Sequence, residues 1–180
     1  VRYLSFEAML EEYYMETDDD KHVDLMEIMG GEGRTTKMLM RRTHRHGQHV
    51  GRNFDLQCGV DLFDDKGRRD MWAYMVNCKP IVIVMSPPCQ GMAGWATFNR
   101  IMNPETHEAS RRVSEPLGHL CGEVAKFQLE NGRHYLVEQP AGSDLYQSPV
   151  WLHVRGHPDA AEAIIHQCQA GLRCPRTGLP

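Results

Sequence analysis

No stretch of this sequence approaches the ~20 consecutive apolar residues that a membrane-spanning helix requires. No leader peptide opens it either: Val1-Arg2-Tyr3-Leu4 runs straight into an acidic, helix-like segment. Membrane insertion and secretion are therefore not expected, and an intracellular location, nuclear or cytoplasmic, is. The six cysteines, at 58, 78, 89, 121, 168 and 174, contain no Cys-x-x-Cys pair, which leaves reduced thiols as the expectation. Cys78 and Cys121 sit in apolar or helical context and read as small core residues. His153, His157, His166, Cys168 and Cys174 match no standard zinc spacing. A surplus of positive charge is also missing. Lys and Arg number 20 against 24 Asp and Glu, for a net charge of −4. Basic residues cluster only at 41–46, at Arg68-Arg69 and at Arg111-Arg112, so any nucleic-acid affinity is expected to be modest and salt-sensitive. Internal repeats and low-complexity tracts are absent. The first residue is not Met, and the last seven, Cys174 to Pro180, are turn-like. Both features predict a segment of a longer chain, truncated at its C-terminus.

What is present is an ordinary globular composition, 41% hydrophobic and 24% charged over 180 residues, enough for one domain with a real core. Residues 3–16 have the amphipathic pattern of a helix, so residues 1–21 read as an N-terminal helix or linker and 22–180 as the domain. The centre of that domain is Pro80-Ile81-Val82-Ile83-Val84-Met85, followed by Ser86-Pro87-Pro88-Cys89-Gln90. A short, unbroken, β-branched run reads as a strand buried on both faces of a parallel sheet. The prolines end its ladder and leave Cys89 at the strand's carboxyl end, where open α/β sheets bind ligands. Buried cysteines are commonly packing residues, so a nucleophilic role for Cys89 depends on its neighbours.

Those neighbours come from the other strands. Residues 22–29 read as a strand, Gly30-Gly31-Glu32-Gly33 as a turn and residues 37–42 as a helix. The glycines permit a sharp turn and close approach of a ligand; Glu27 suits a ligand carrying an amino group or hydroxyls. A second strand is expected over 55–60, ending in Asp61, where an acid takes ribose hydroxyls in nucleotide-type folds; a water-facing loop acid is the alternative. Residues 69–78 read as a helix with Asp70 near its N-terminus. Residues 91–100, with Trp95 among glycines, read as a loop able to close on a flat ligand. Asn103-Pro104 opens a helix that runs, with a possible break at Pro116, to Asn131-Gly132. Residues 134–140 form a strand ending at Glu138 and Pro140, and a last strand is expected over 164–168.

The glycine turn after the first strand, Pro88-Cys89-Gln90 and Glu138 together resemble the S-adenosylmethionine-dependent DNA (cytosine-5)-methyltransferases. Pro88-Cys89-Gln90 matches the family's nucleophile motif. Glu138-Gln139-Pro140 resembles its Glu-Asn-Val motif at the glutamate only. A closer overall likeness is to methyltransferase-like segments of copia-type retroelement polyproteins, carried by residues 27–32, 59–62, 86–89, 132–140 and 166–168. The resemblance covers residues 22–170 and implies a three-layer Rossmann-like fold, a mostly parallel sheet with helices on both faces. It implies S-adenosylmethionine as cofactor, with Glu27, Gly30, Gly31, Gly33, Asp61, Asp70 and Pro88 around it. Cys89 would be the nucleophile and Glu138 the acid that holds the base. Gln90, Trp95 and Arg111 would meet the substrate, although a solvated helix face is the preferred reading of Arg111 and Arg112 from the residues themselves. The implied partner is nucleic acid, DNA rather than RNA, with other parts of a polyprotein possible. Gln139-Pro140 departs from Asn-Val, and the family's Gln-x-Arg-x-Arg motif and target-recognition region are absent. A catalytically degenerate binding module is therefore the alternative to an active enzyme.

Overall fold

The computed structural model describes residues 22–179 except 47, 167, 168, 170, 172 and 175, and not the side chains of 42–46, 95 and 97. The expected helix over 3–16 lies outside the described residues. Four strands, β1 (Leu25–Ile28), β2 (Val50–Phe54), β3 (Val82–Met85) and β4 (His134–Val137), form one sheet in the order β2-β1-β3-β4. All three pairings are parallel, where a mostly parallel sheet was expected. Parallel neighbours need long crossovers. These are supplied by α1 (Arg34–His46) between β1 and β2, and by α2 (Asp65–Cys78) between β2 and β3. Then α3 (Gly94–Met102) and α4 (Pro104–Glu130) lead to β4, and α5 (Pro149–Arg155) follows it. The chain steps from β1 to one side for β2 and to the other for β3. That reversal is a topological switch point at the carboxyl ends of β1 and β3, the edge where open α/β sheets bind ligands.

The core is rich in methionine: Met26, Met71, Met75 and Met85 are fully buried beside Ile28, Ile83 and Val124. Trp72 of α2 meets Phe127 of α4 edge-on, with ring centroids 5.5 Å apart. Trp151 of α5 is sealed against α4 because Gly118 and Gly122 leave a notch there. Its Nε1 donates to the Gly118 carbonyl at 2.9 Å, and a Cβ on Gly122 would lie 3.1 Å from that nitrogen.

Several helix signals act as read. Asn103 Oδ1 accepts from Thr106 N at 3.3 Å, Pro104 occupies the first turn, and Asn131-Gly132 ends α4 with Gly132 at φ +64°. Pro116 does not break α4. The carbonyl deprived of its donor belongs to Arg112, which is exposed, as is Pro116, so water is at hand.

Other expectations are corrected. The second strand is Val50–Phe54, not 55–60, and the acid at its end is Asp55 rather than Asp61. Gly51 hides this strand from pattern reading: a Cβ there would lie 2.6 Å from Val23 Cγ1 and 3.0 Å from the Tyr74 hydroxyl. Residues 55–59 turn instead, with Asp55 Oδ1 accepting from Gln57 N and Gly59 at φ +79°. Residues 94–100, read as loop, are helical. Residues 160–166 carry no strand, and Ile164 and Ile165 are exposed. Positions 167 and 168 lie outside the described residues.

Candidate active site

Three strand ends share the carboxyl edge. At the end of β1, Met29, Gly31 and Gly33 all have positive φ, between +56° and +66°, so the chain turns back on itself into α1. The Glu27 carboxylate is 2% exposed. Its Oε2 accepts from Thr36 N at 2.6 Å and its Oε1 from Thr35 N at 3.3 Å. A buried carboxylate is tolerable there because helix N-terminal amides carry partial positive charge and lack partners of their own. A Cβ on Gly30 would sit 2.8 Å from Glu27 Oε1 and would push on the carboxylate that the helix amides hold.

The end of β2 closes the same turn. Asp55 Oδ2 accepts from Gly31 N at 2.9 Å. Asn53 Nδ2 donates to Gly31 O at 2.8 Å and to Cys58 Sγ at 3.3 Å. Burial pushes the Cys58 thiol up. The Oδ1 of Asn53 and the Oγ1 of Thr36 are buried and have no hydrogen-bond partner among the described residues.

At the end of β3, Ser86 N donates to Ile28 O at 3.2 Å, and the chain then passes through Pro87-Pro88 to a half-buried Cys89. The Cys89 carbonyl accepts from both Met92 N and Ala93 N at 2.9 Å, which makes a tight turn. Gly91 presses on α4: its N–H donates to Ser114 Oγ at 3.3 Å, and a Cβ would lie 2.7 Å from Arg111 N.

At the end of β4, Glu138 N donates to Met85 O at 3.1 Å. Glu27, Val84 and Leu136 are in register and side chains alternate along a strand. Glu138 therefore projects from the same sheet face as Glu27, and its side chain is exposed. Gln139 Nε2 donates to Pro87 O at 2.6 Å, and Asp144 N to Met92 O at 2.8 Å.

Glu27, the three glycines, Pro88, Cys89, Gln90 and Glu138 thus belong to adjoining strand ends. The remaining expected residues are placed differently. Asp61 is exposed on the loop before α2, its Oδ1 accepting from Phe63 N at 2.8 Å. Asp70 lies on the second turn of α2, not at its start, and pairs with Lys66 at 2.6 Å; that contact holds its carboxyl below the usual range. Arg111 pairs with Glu115 at 3.0 Å. Trp95 opens α3, and its side chain lies outside the description. Sequence reading missed Asn53, Asp55 and Ser143, and noted Gln139 only as a departure from the Glu-Asn-Val motif. Of the three missed, Asp55 carried a signal, as an acid at a strand end, and the misplaced strand concealed it.

Next to the Cys89 turn is a cleft of about 740 Å³, walled by Phe63, Met92, Leu117, Leu120 and Leu145 and rimmed by charged groups such as Asp144. Among the described residues no group of three His, Cys, Asp or Glu side chains is placed to hold a metal ion, and no helix is long and apolar enough to cross a membrane. Comparison of the chain with protein-family models, with curated proteins and with solved structures gave no match.

Proposed function

We propose that this chain is a methyltransferase domain of the three-layer Rossmann-like type, acting in the nucleus or cytoplasm on carbon 5 of cytosine in nucleic acid. The observation that carries the reading is the juxtaposition of strand ends. A thiol follows β3, a carboxylate follows its hydrogen-bonded neighbour β4, and an acid-filled glycine turn follows β1 on the other side of β3.

The glycine turn favours S-adenosylmethionine over a phosphate-bearing cofactor. Helix N-termini that hold phosphates offer free amides. Here Glu27 occupies the Thr35 and Thr36 amides and Asp55 the Gly31 amide. Two carboxylates and the unpartnered Asn53 Oδ1 make a site for a cationic ligand with ammonium and hydroxyl donors. Glu27, buried against the Thr35 and Thr36 amides, and Asn53 would shape the turn and bias its charge toward the cationic amino acid end, and Asp55, in place of Asp61, would take the ribose hydroxyls. When bound, the cofactor supplies an electrophilic methyl group.

The remaining chemistry belongs to this chain. Carbon 5 of cytosine is a poor nucleophile. Addition of the Cys89 thiolate at carbon 6 turns the 5,6 double bond into an enamine that is a good one. Glu138 would hold ring nitrogen 3 and the exocyclic amine, sharing a proton with the ring as the adduct forms. The base must leave a duplex to reach these groups, and the exposure of Glu138 suits an incoming ligand. Loss of the carbon 5 proton and expulsion of the thiolate then restore the ring.

One observation favours a second reading, a methyltransferase-like binding module without turnover. Cations around the edge face carboxylates: Arg111 meets Glu115, Arg112 meets Glu108 and Lys37 meets Glu32. With a net charge of −4, phosphate contacts from this segment are few. Two measurements decide between the readings: titration calorimetry with S-adenosylmethionine, and incubation with a duplex containing 5-fluorocytosine. Enzyme chemistry gives cofactor binding and a covalent adduct at Cys89 that Cys89→Ser abolishes. Binding without an adduct supports the second reading, and no binding at all refutes both.

A further inference from the structure

We propose that Gln139 and Ser143 are positioning residues, a hydrogen-bonded relay that sets the Cys89 turn against Glu138. The consequence for catalysis rests on the methyl-transfer reading; the geometry does not. The β3–β4 ladder advances in steps of two residues on each strand. His134 N donates to Ile81 O at 2.8 Å and Glu138 N to Met85 O at 3.1 Å. The next rung in that register would run from residue 140 to Pro87 O, and residue 140 is proline, which has no N–H. The Gln139 side chain fills the gap, its Nε2 donating to Pro87 O at 2.6 Å.

The side-chain rung is itself held. Ser143 is buried, and its Oγ donates to Gln139 Oε1 at 3.1 Å while accepting from Leu145 N at 3.3 Å. Ser143 N in turn donates to Pro140 O at 3.1 Å. Past the thiol, Asp144 N donates to Met92 O at 2.8 Å. The Cys89 turn is thus tied to the Glu138 loop on both sides, at Pro87 and at Met92. A proline ends the sheet so that the two loops can diverge, and a side-chain amide keeps them in register.

The test is site-resolved alkylation by iodoacetamide, read by peptide mass spectrometry in the intact chain with Cys58 as internal reference. Adduct formation with a 5-fluorocytosine duplex is followed in parallel. Gln139→Leu removes the rung. The expected result is a severalfold change in Cys89 alkylation relative to Cys58, and adduct formation slowed by about tenfold or more at unchanged cofactor affinity. Adding Pro140→Ala supplies a backbone N–H for Pro87 O and is expected to restore the Cys89-to-Cys58 ratio. Ser143→Ala, which leaves the rung and removes its support, is expected to move the ratio in the same direction by less; it also serves if Gln139→Leu does not fold. A Cys89-to-Cys58 ratio unchanged in both Gln139→Leu and Ser143→Ala overturns the proposal, whatever happens to the melting temperature. A wild-type protein that binds cofactor and forms no adduct counts against methyl transfer alone, because the alkylation ratio still decides the relay.

Discussion

Gly91→Ala probes how the thiol loop is seated, and its cost can be worked from contacts already described. The new Cβ would lie 2.7 Å from Arg111 N, 2.8 Å from Arg111 Cα and 2.9 Å from the Ser110 carbonyl carbon. These are backbone atoms of α4, so no side chain can swing aside and the loop must lift. Overpacking of this kind costs about 1–3 kcal/mol. Lifting also breaks the Gly91 N–H bond to Ser114 Oγ in a fully buried setting, for ~1 kcal/mol more. The sum, about 2–4 kcal/mol, corresponds to a melting temperature lower by roughly 5–12 °C in a domain of this size. Thermal unfolding followed by circular dichroism measures it, with two controls. Ser114→Ala removes only the hydroxyl and should cost ~1 kcal/mol. Gly142→Ala strains a residue at φ +75° but meets nothing within 4 Å, so it should cost about 1 kcal/mol from conformation alone. A Gly91→Ala protein that melts no lower than Gly142→Ala would refute the claim that the Cys89 turn is pressed onto α4.

Glu27→Gln should destabilise the fold by about 1.5–3 kcal/mol, because an amide offers one acceptor where Thr35 and Thr36 N–H groups use two; urea titration measures this, and an unchanged midpoint would exclude the helix-capping role. Burial, reinforced by Glu162 and Glu138, pushes the Tyr146 phenol up to about 12, against an ordinary value of ~10. A raised folded-state value stabilises fully below pH ~10 and is lost as pH climbs through about 12, so the melting temperature should fall over that window more steeply in the wild type than in Tyr146→Phe. Burial also pushes the Cys121 thiol far up, so native-state alkylation should mark Cys89 and Cys58 and leave Cys121 untouched until the protein unfolds. Trp151→Phe should cost about 1–3 kcal/mol by removing the bond to Gly118 O and part of a filled notch, seen as a lower denaturant midpoint with an unchanged slope.

Much of the fold could be read before any coordinates. The unbroken β-branched run before Pro87 located β3, and short mostly apolar stretches ending at Gly30 and at Pro140 located β1 and β4, because a strand's end needs a residue that stops the ladder. What escaped reading depended on partners distant in sequence. Gly51 looks like a strand breaker until Val23 and Tyr74 close over it, and with β2 misplaced the acid at its end was taken to be Asp61. The chemistry of Cys89 and Glu138 was visible in residue type, but the contact between their loops was not. It runs through Gln139, whose neighbour Pro140 is an ordinary turn signal until the ladder register shows which donor is missing. Helix α3 was hidden because Gly91 and Gly94 suggested a loop, while Ala96 is buried on the protein.

The parallel sheet also fixes when the candidate chemistry can arise. β1 leaves the ribosome before either strand it pairs with, and β4 follows only after a helix of 27 residues. Pairings across such long connections close slowly, and β3–β4 is the last of the three along the chain. Until that rung pattern is complete, Glu138 has no fixed place beside Met85, and Pro87 O lacks its donor. During synthesis and refolding the Cys89 turn therefore lacks the rung at Pro87 that fixes it. It is tied to the Glu138 loop only in a chain that has finished its sheet.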